Sequence, residues 1–302
     1  MYEAIAQNKR RSILLIAGAI LLLGAVGFGL GYLSSSGIVG LIVAVVIAAG
    51  LSIGSYRYGD RLVLASTRAR EVTPEQEPRL HNVVEGISLA AGIPKPRVYI
   101  VPEQAPNAFA TGRDPEHSSI AVTQGLLDMM NRVELEGVVA HEMSHVVDRD
   151  ILFGTIVATL VGAVVLISEF FLRWFWWGGF AGRRSSSDSG GGAAGAIGLA
   201  IGFVLLILAP LFGQIIKFAV SREREYLADA QGAMLTRYPP GLISALEKIS
   251  QSPTAMRSAN NATAHLWLSQ PSRVPGDDTS RLERLFSTHP PLADRIRRLQ
   301  EM

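Results

Sequence analysis

Charge is absent from four long apolar stretches of the chain, residues 12–33, 38–55, 151–168 and 193–216. A bilayer core is about 30 Å thick and takes about 20 such residues per helix, so each stretch is a candidate membrane span. The first two are joined only by "SSSG", which leaves room for nothing but a hairpin. Lys9, Arg10 and Arg11 precede the first stretch as they would in a signal peptide. Its apolar run is too long for that role, and a second span follows at once, which predicts a retained anchor. The third and fourth stretches share their composition with a buried core helix. "RWFWWGGF" after the third favours a span, because Trp collects at membrane interfaces. Pro210 predicts a kink in the fourth.

Charge near the span ends sets an orientation. Lys9, Arg10, Arg11, Arg57, Arg61, Arg68, Arg70, Arg149, Lys217, Arg222 and Arg224 fall on one side, and Arg173, Arg183 and Arg184 on the other. The positive-inside rule makes the first side cytoplasmic. The expected division is a cytoplasmic tail over 1–11, a transmembrane hairpin over 12–56 and a cytoplasmic part over 57–150. A second hairpin then spans 151–216, with an outer loop near 173–192, and a second cytoplasmic part covers 217–302. Within 57–150, "PRVYIV", "NAFAT" and "SSIAVT" are β-rich runs between turn residues and predict a small sheet. Residues 77–91 read as a helix with Leu80, Val83, Val84, Ile87 and Leu89 as its apolar positions. Asn131 with Glu134 reads as a helix start with a capping box. Helices are also expected over 218–236 and 242–250, and at the end of the chain, where Leu292, Ile296 and Leu299 share a face. The Ser/Pro/Asn-rich region before it, to about residue 280, reads as irregular.

Composition narrows the chemistry. Net charge is only +2, and no Lys/Arg stripe is interleaved with aromatics, which speaks against nucleic acid as a partner. The hydrophobic share is 48% and mean hydropathy is +0.27, high for a soluble protein of 302 residues. The chain has no cysteine, so any metal must sit on His and carboxylates.

Such a set is visible at "VVAHEMSHVVDRD", residues 138–150. Residues four apart on a helix stand one above the other, so His141 and His145 reach a common ion. Glu142 projects to the side of that face, beside the metal rather than on it, as in H-E-x-x-H metalloproteases. A catalytic zinc takes three protein ligands and an open position. The extended motif with fixed Gly and His is excluded, because Asp148 and Ile151 stand in those places. "SREREYLADA" offers Glu225, with Asp229 one turn later to hold a ligand histidine by its second ring nitrogen. The plainer reading makes both acids surface residues paired with Arg222 and Arg224. Two crossings between His145 and Glu225 would return the chain to its starting side and let the three meet, whereas one or three would not.

With "HEMSH", the Glu-x-x-x-Asp of Glu225 and Asp229, "NAFATG" at 107–112 and "THPPLADR" at 288–295, the chain resembles the integral-membrane zinc metalloproteases of the HtpX heat-shock type, related to the CAAX prenyl endopeptidases. The resemblance implies a mainly α membrane protein. Four transmembrane helices would carry a cytoplasmic α+β zincin-like (gluzincin) catalytic domain with a small sheet, in the inner membrane with both termini and the active site cytoplasmic. It implies one Zn2+ per chain on His141, His145 and Glu225, with Asp229 supporting a ligand. Glu142 would be the catalytic base in cleaving polypeptides, membrane proteins among them, in quality control. Asn107, Ala108, Phe109 and Ala110 are expected to pair with an extended substrate, although "NAFAT" also reads as a structural strand with both edges covered. His289 and Arg295 are expected to fold over the zinc and donate to the oxyanion. The plainer alternative is a cap and a surface ion pair. An intramembrane protease is rejected, because Asp128, Arg132, Glu134, Glu136, Asp148, Arg149 and Asp150 crowd the motif with charge that hydrocarbon does not accept. A catalytically inactive membrane scaffold that keeps the zinc site is the remaining rival.

Overall fold

The computed structural model describes residues 37–160, 222–254, 256, 263–269 and 290–302, with scattered helical positions between 6 and 28 and at 162. Two compact units divide the chain: one holds 1–12, 55–159 and 216–302, the other 13–54 and 160–215.

The second unit is described mainly through helix α1 (Gly37–Ser66), which continues beyond it into the first. Ile38, Val39, Ile42, Val46 and Ile53 lie exposed on α1, an apolar surface that water would not tolerate. The helix is long and apolar enough to cross a membrane, and it contains the whole of the expected second span. The third expected span is described only where helix α5 (Asp150–Leu160) begins it, and the fourth lies outside the described residues.

The polar unit is built on a four-stranded sheet of β1 (Arg70–Glu71), β2 (Arg97–Val101), β3 (Ala108–Gly112) and β4 (Ser118–Thr123), in the order β1-β2-β4-β3. Strand β4 pairs parallel to β2, Val98 opposite Ile120, and antiparallel to β3, Ala110 opposite Ile120. That order leaves β3 at an edge. Side chains alternate across a strand, and both faces of this sheet are covered. Val98, Ile100, Ala108, Ala110, Ile120 and Val122 pack with α2 (Pro78–Ala91) and α4 (Arg132–Val147). Tyr99, Val101, Phe109 and Ala121 pack with Val63 and Leu64 of α1, Ala158 of α5, and Trp267. Burial on both sides explains why these strands read as nearly continuous apolar runs.

Helix α2 departs from expectation at one residue. Leu80, Val83, Val84 and Ile87 are buried, but Leu89 is 78% exposed. Nine residues at about 100° each put it half a turn from Leu80, on the solvent face. Helix α3 (Gln124–Met129) follows β4 and leads to α4, which opens with the expected capping box between Asn131 and Glu134. Helix α4 stops at Val147. Arg149 takes a left-handed φ of 59°, which turns the chain directly into α5.

Helix α6 (Arg222–Thr236) lies against α4, and α7 (Pro239–Gln251) covers the start of α4. Contact between α4 and α6 is close because of Gly232, where an added Cβ would come within 3.0 Å of the His141 backbone nitrogen. Helix α8 (Leu292–Gln300) closes the unit, with Leu299 buried and Leu292 and Ile296 packed against Leu242, Leu246 and Ala233. The helix expected over 242–250 begins earlier, at Pro239, because prolines fit a first turn whose N–H groups have no partner.

Candidate metal centre

His141 and His145 stand one turn apart on α4, and α6 brings Glu225 across to them. Their ligand atoms all lie within 4.8 Å of one another, the arrangement required of a common metal site. His141 Nε2 is 3.8 Å from Glu225 Oε2, and His145 Nε2 is 3.6 Å from Glu225 Oε1. Both separations are too long for hydrogen bonds. Two donors about 2.0–2.1 Å from a tetrahedral zinc would stand about 3.4 Å apart, close to what is seen. Each histidine is held from behind. His141 Nδ1 lies 2.9 Å from Asp229 Oδ1, and His145 Nδ1 lies 3.0 Å from Asp150 Oδ2. A proton kept on Nδ1 leaves Nε2 with a lone pair for a cation, the usual support for histidine on zinc. The residues present therefore fit zinc in donor type, spacing and tautomer.

Charge is dense here. Burial pushes the Glu142 carboxyl up to about 7, and the charge of Glu225 adds to the shift. Against this act His145, Arg295 and a hydrogen bond from the Ala110 backbone. Burial opposes a proton on His145, but Asp150, Glu225 and Glu142 outweigh it and push the imidazole up to about 9. Burial, with the charge of Arg295, pulls His141 down.

Glu225 and Asp229 are buried, which removes the reading of them as surface residues paired with Arg222 and Arg224. Arg295 also departs from expectation. It is fully buried, so it is no surface ion pair, and it does not line the cavity beside the metal donors. Its Nε and Nη2 grip the two oxygens of Asp229 at 2.8 and 2.6 Å, and Nη1 donates to the Leu268 carbonyl at 2.9 Å. Nη2 approaches both ring nitrogens of His141, at 3.2 and 3.4 Å. Contact with both at once is packing against the ring, not a bond to one nitrogen. Arg295 Nη1 also lies 3.8 Å from Glu225 Oε2, so the guanidinium stands behind the ligand set with Asp229 as its main partner. His289 lies outside the described residues.

Asn107, Ala108, Phe109 and Ala110 fall at and in edge strand β3, and Ala110 lines the cavity with Glu142. Phe109 turns its ring into the core against Trp267, 4.7 Å between centroids, so it offers no side chain to a substrate. The Asn107 amide is engaged with the chain itself, donating to Ser269 O and accepting from Ser269 N–H. Asp150 is the residue that sequence reasoning missed. It was legible in principle, because a second ligand histidine needs its own partner and Asp148 and Asp150 are the two acids that follow the helix.

Residues 74–302 match peptidase family M48. The chain belongs to that family. M48 membership makes it a metalloprotease, a hydrolase of peptide bonds, and zinc is the metal of the family. Among full-length relatives, the Protease HtpX homolog of Caldanaerobacter subterraneus subsp. tengcongensis is 46% identical over all of this chain and 98% of its own length. The Protease HtpX homolog of Tropheryma whipplei is 44% identical over the same shares. The crystal structure of S. mikatae Ste24p aligns with 99% of this chain and 67% of that one, at a TM-score of 0.50 and 18% identity, so the likeness there is of fold. With these M48 relatives and the apolar helix α1, the chain is a membrane metalloprotease.

Proposed function

We propose that this chain is a zinc endopeptidase that cuts misfolded or damaged membrane proteins on the cytoplasmic side of the membrane, through four spans and one zinc per chain. The observation that carries the reading is the buried carboxyl of Glu142, set between a His-His-Glu donor set and the backbone of an edge strand. The chemistry zinc supplies when bound is that of a Lewis acid, acidifying a water and polarising a peptide carbonyl.

The remaining work falls to side chains. Glu142 takes the proton of the attacking water and passes it to the leaving nitrogen as the C–N bond breaks. Asp229 and Asp150 hold His141 and His145 in one tautomer and one orientation. The backbone of 107–110 aligns an extended chain, with few demands on its sequence. The apolar stretch 151–216 lies between His145 and Glu225, and an even number of crossings there is what lets the three donors meet. That parity supports the second transmembrane hairpin.

Glu142→Gln tests the mechanism, because it keeps the shape and removes the base. Zinc content and melting temperature should hold while hydrolysis of an unfolded protein falls by about 10²–10⁴. Equal rates in wild type and variant, with purity checked, would favour the inactive scaffold instead.

A further inference from the structure

Residues 263–269 carry features that a linker does not need. Trp267 is fully buried and Leu268 nearly so. Leu268 N–H donates to Ala108 O at 2.8 Å, so the segment pairs with the outward edge of β3. Asn107 binds the Ser269 backbone through both its amide atoms, and Arg295 binds the Leu268 carbonyl. On the other side, His265 Nε2 lies 3.1 Å from the Gly154 carbonyl. Leu266 sits so close over Gly154 that an added Cβ there would come within 2.9 Å of Leu266 Cδ2. The cavity that holds the metal donors is therefore walled by His265, Leu266, Trp267 and Leu268 opposite them.

We infer that residues 263–269 are an inhibitory strap, lying on the edge of β3 where a substrate strand would pair, and that an extended polypeptide must displace its 268–269 end to reach the metal donors. This rests on the peptidase reading above. In an antiparallel ladder, alternate residues turn their N–H and C=O outward. Thr123 N–H bonds Asn107 O toward β4, so Ala108 and Ala110 are the outward-facing residues of β3. The strap already uses the Ala108 carbonyl. Displacing the 268–269 end gives up four hydrogen bonds, to Ala108 O, to both amide atoms of Asn107 and to Arg295. An incoming main chain meets the same four partners in place, so the exchange trades protein hydrogen bonds for substrate hydrogen bonds. Trp267, packed against Phe109, is the anchor that stays and returns the strap after each turnover. Such a device keeps folded proteins, which have no free extended segment, away from the site.

The test uses the full-length, zinc-loaded protein in detergent with β-casein, an unfolded polypeptide, as substrate. Wild type against Glu142→Gln first establishes whether casein is hydrolysed at all, and that result judges the peptidase reading by itself. Leu268→Pro then removes the strap's main-chain donor to β3. The Michaelis constant for casein should fall about fivefold, the worth of one hydrogen bond, with kcat little changed. An unchanged or raised Michaelis constant at normal zinc content overturns the strap. Should the proline lower zinc content, hydrogen exchange decides in the Glu142→Gln protein, whose strap is intact. Saturating casein should speed exchange of the Leu268 and Ser269 amides by about tenfold or more, as for a locally opened segment. Exchange that is unchanged or slower with casein overturns the inference.

Discussion

At the scale of single residues, the site depends on a chain of contacts that begins at Arg295. Its guanidinium compensates Asp229, Asp229 holds His141, and His141 faces Glu225. Burial raises the energy of an ionised Asp229, but the charge and fork of Arg295 outweigh that and hold the carboxyl below its ordinary range. Arg295→Ala would leave this acid buried and uncompensated, at a cost of about 3–5 kcal/mol. Loss of such support behind a ligand histidine also weakens metal binding by about 10–100-fold. Arg295→Lys should fall between, keeping the charge but losing the two-pronged grip. Thermal melts and zinc titration of the three proteins check this. A direct oxyanion donor would behave differently: turnover would fall while melting temperature and zinc affinity stayed at wild-type values.

At the scale of elements, Glu134 joins two helices. It closes the capping box of α4 and binds Ser244 and Lys248 of α7, at 2.6 and 2.7 Å. Burial favours its neutral form, yet Lys248, Ser244 and the Asn131 N–H outweigh burial and hold the carboxyl below the usual range. A depressed carboxyl stabilises the fold above its unfolded value, near 4.3, and that stability is lost as pH falls through the folded value. Glu134→Gln keeps a capping residue and removes the charge. Because the Lys248 side chain is 41% exposed, the loss at pH 7 should be modest, about 1–2 kcal/mol. Urea melts of the metal-free proteins should converge as the pH drops below about 4. A gap that persists undiminished to pH 3 would show that charge is not what Glu134 contributes. The same elements show what the sequence disclosed. Periodicity located α2 and α8, and the capping box marked the start of α4 to the residue. Leu89 misled because apolar identity was counted without its angle around the helix. Strand β1 was invisible, since two charged residues carry no period and its pairing depends on β2. Residues 263–269 read as irregular in sequence, because most of their partners, Asn107, Ala108 and Gly154 among them, lie more than a hundred positions away. The two histidines were legible as candidate ligands because spacing along one helix fixes geometry, whereas Glu225, on another helix, was reached only through the downstream Glu-x-x-x-Asp pattern. Arg295 was legible as a candidate, but its pairing with Asp229 was not, because that depends on where α8 packs.

At the scale of the whole molecule, the proposed four spans are a statement about sides. Both histidines and Glu225 belong to one compact unit, although the apolar stretch 151–216 interrupts it in sequence. Any membrane path must therefore cross an even number of times between Asp150 and Lys217. The eleven basic residues named on one side against three on the other are the ground for proposing that this unit is cytoplasmic. The chain contains no cysteine, so a single introduced thiol reports its own side without background. Cysteine at Ser186, in the expected outer loop, should react with a membrane-impermeant maleimide added to intact cells. Cysteine at Glu116 or at Glu301, both exposed on the polar unit, should react only after the membrane is opened. Labelling of 116 and 301 in intact cells, with 186 protected until lysis, would reverse the orientation of the polar unit. No labelling at 186, with 116 and 301 also protected until lysis, would mean that 151–216 never crosses and packs as a core. The three labels together separate a hairpin that crosses twice from one that does not cross.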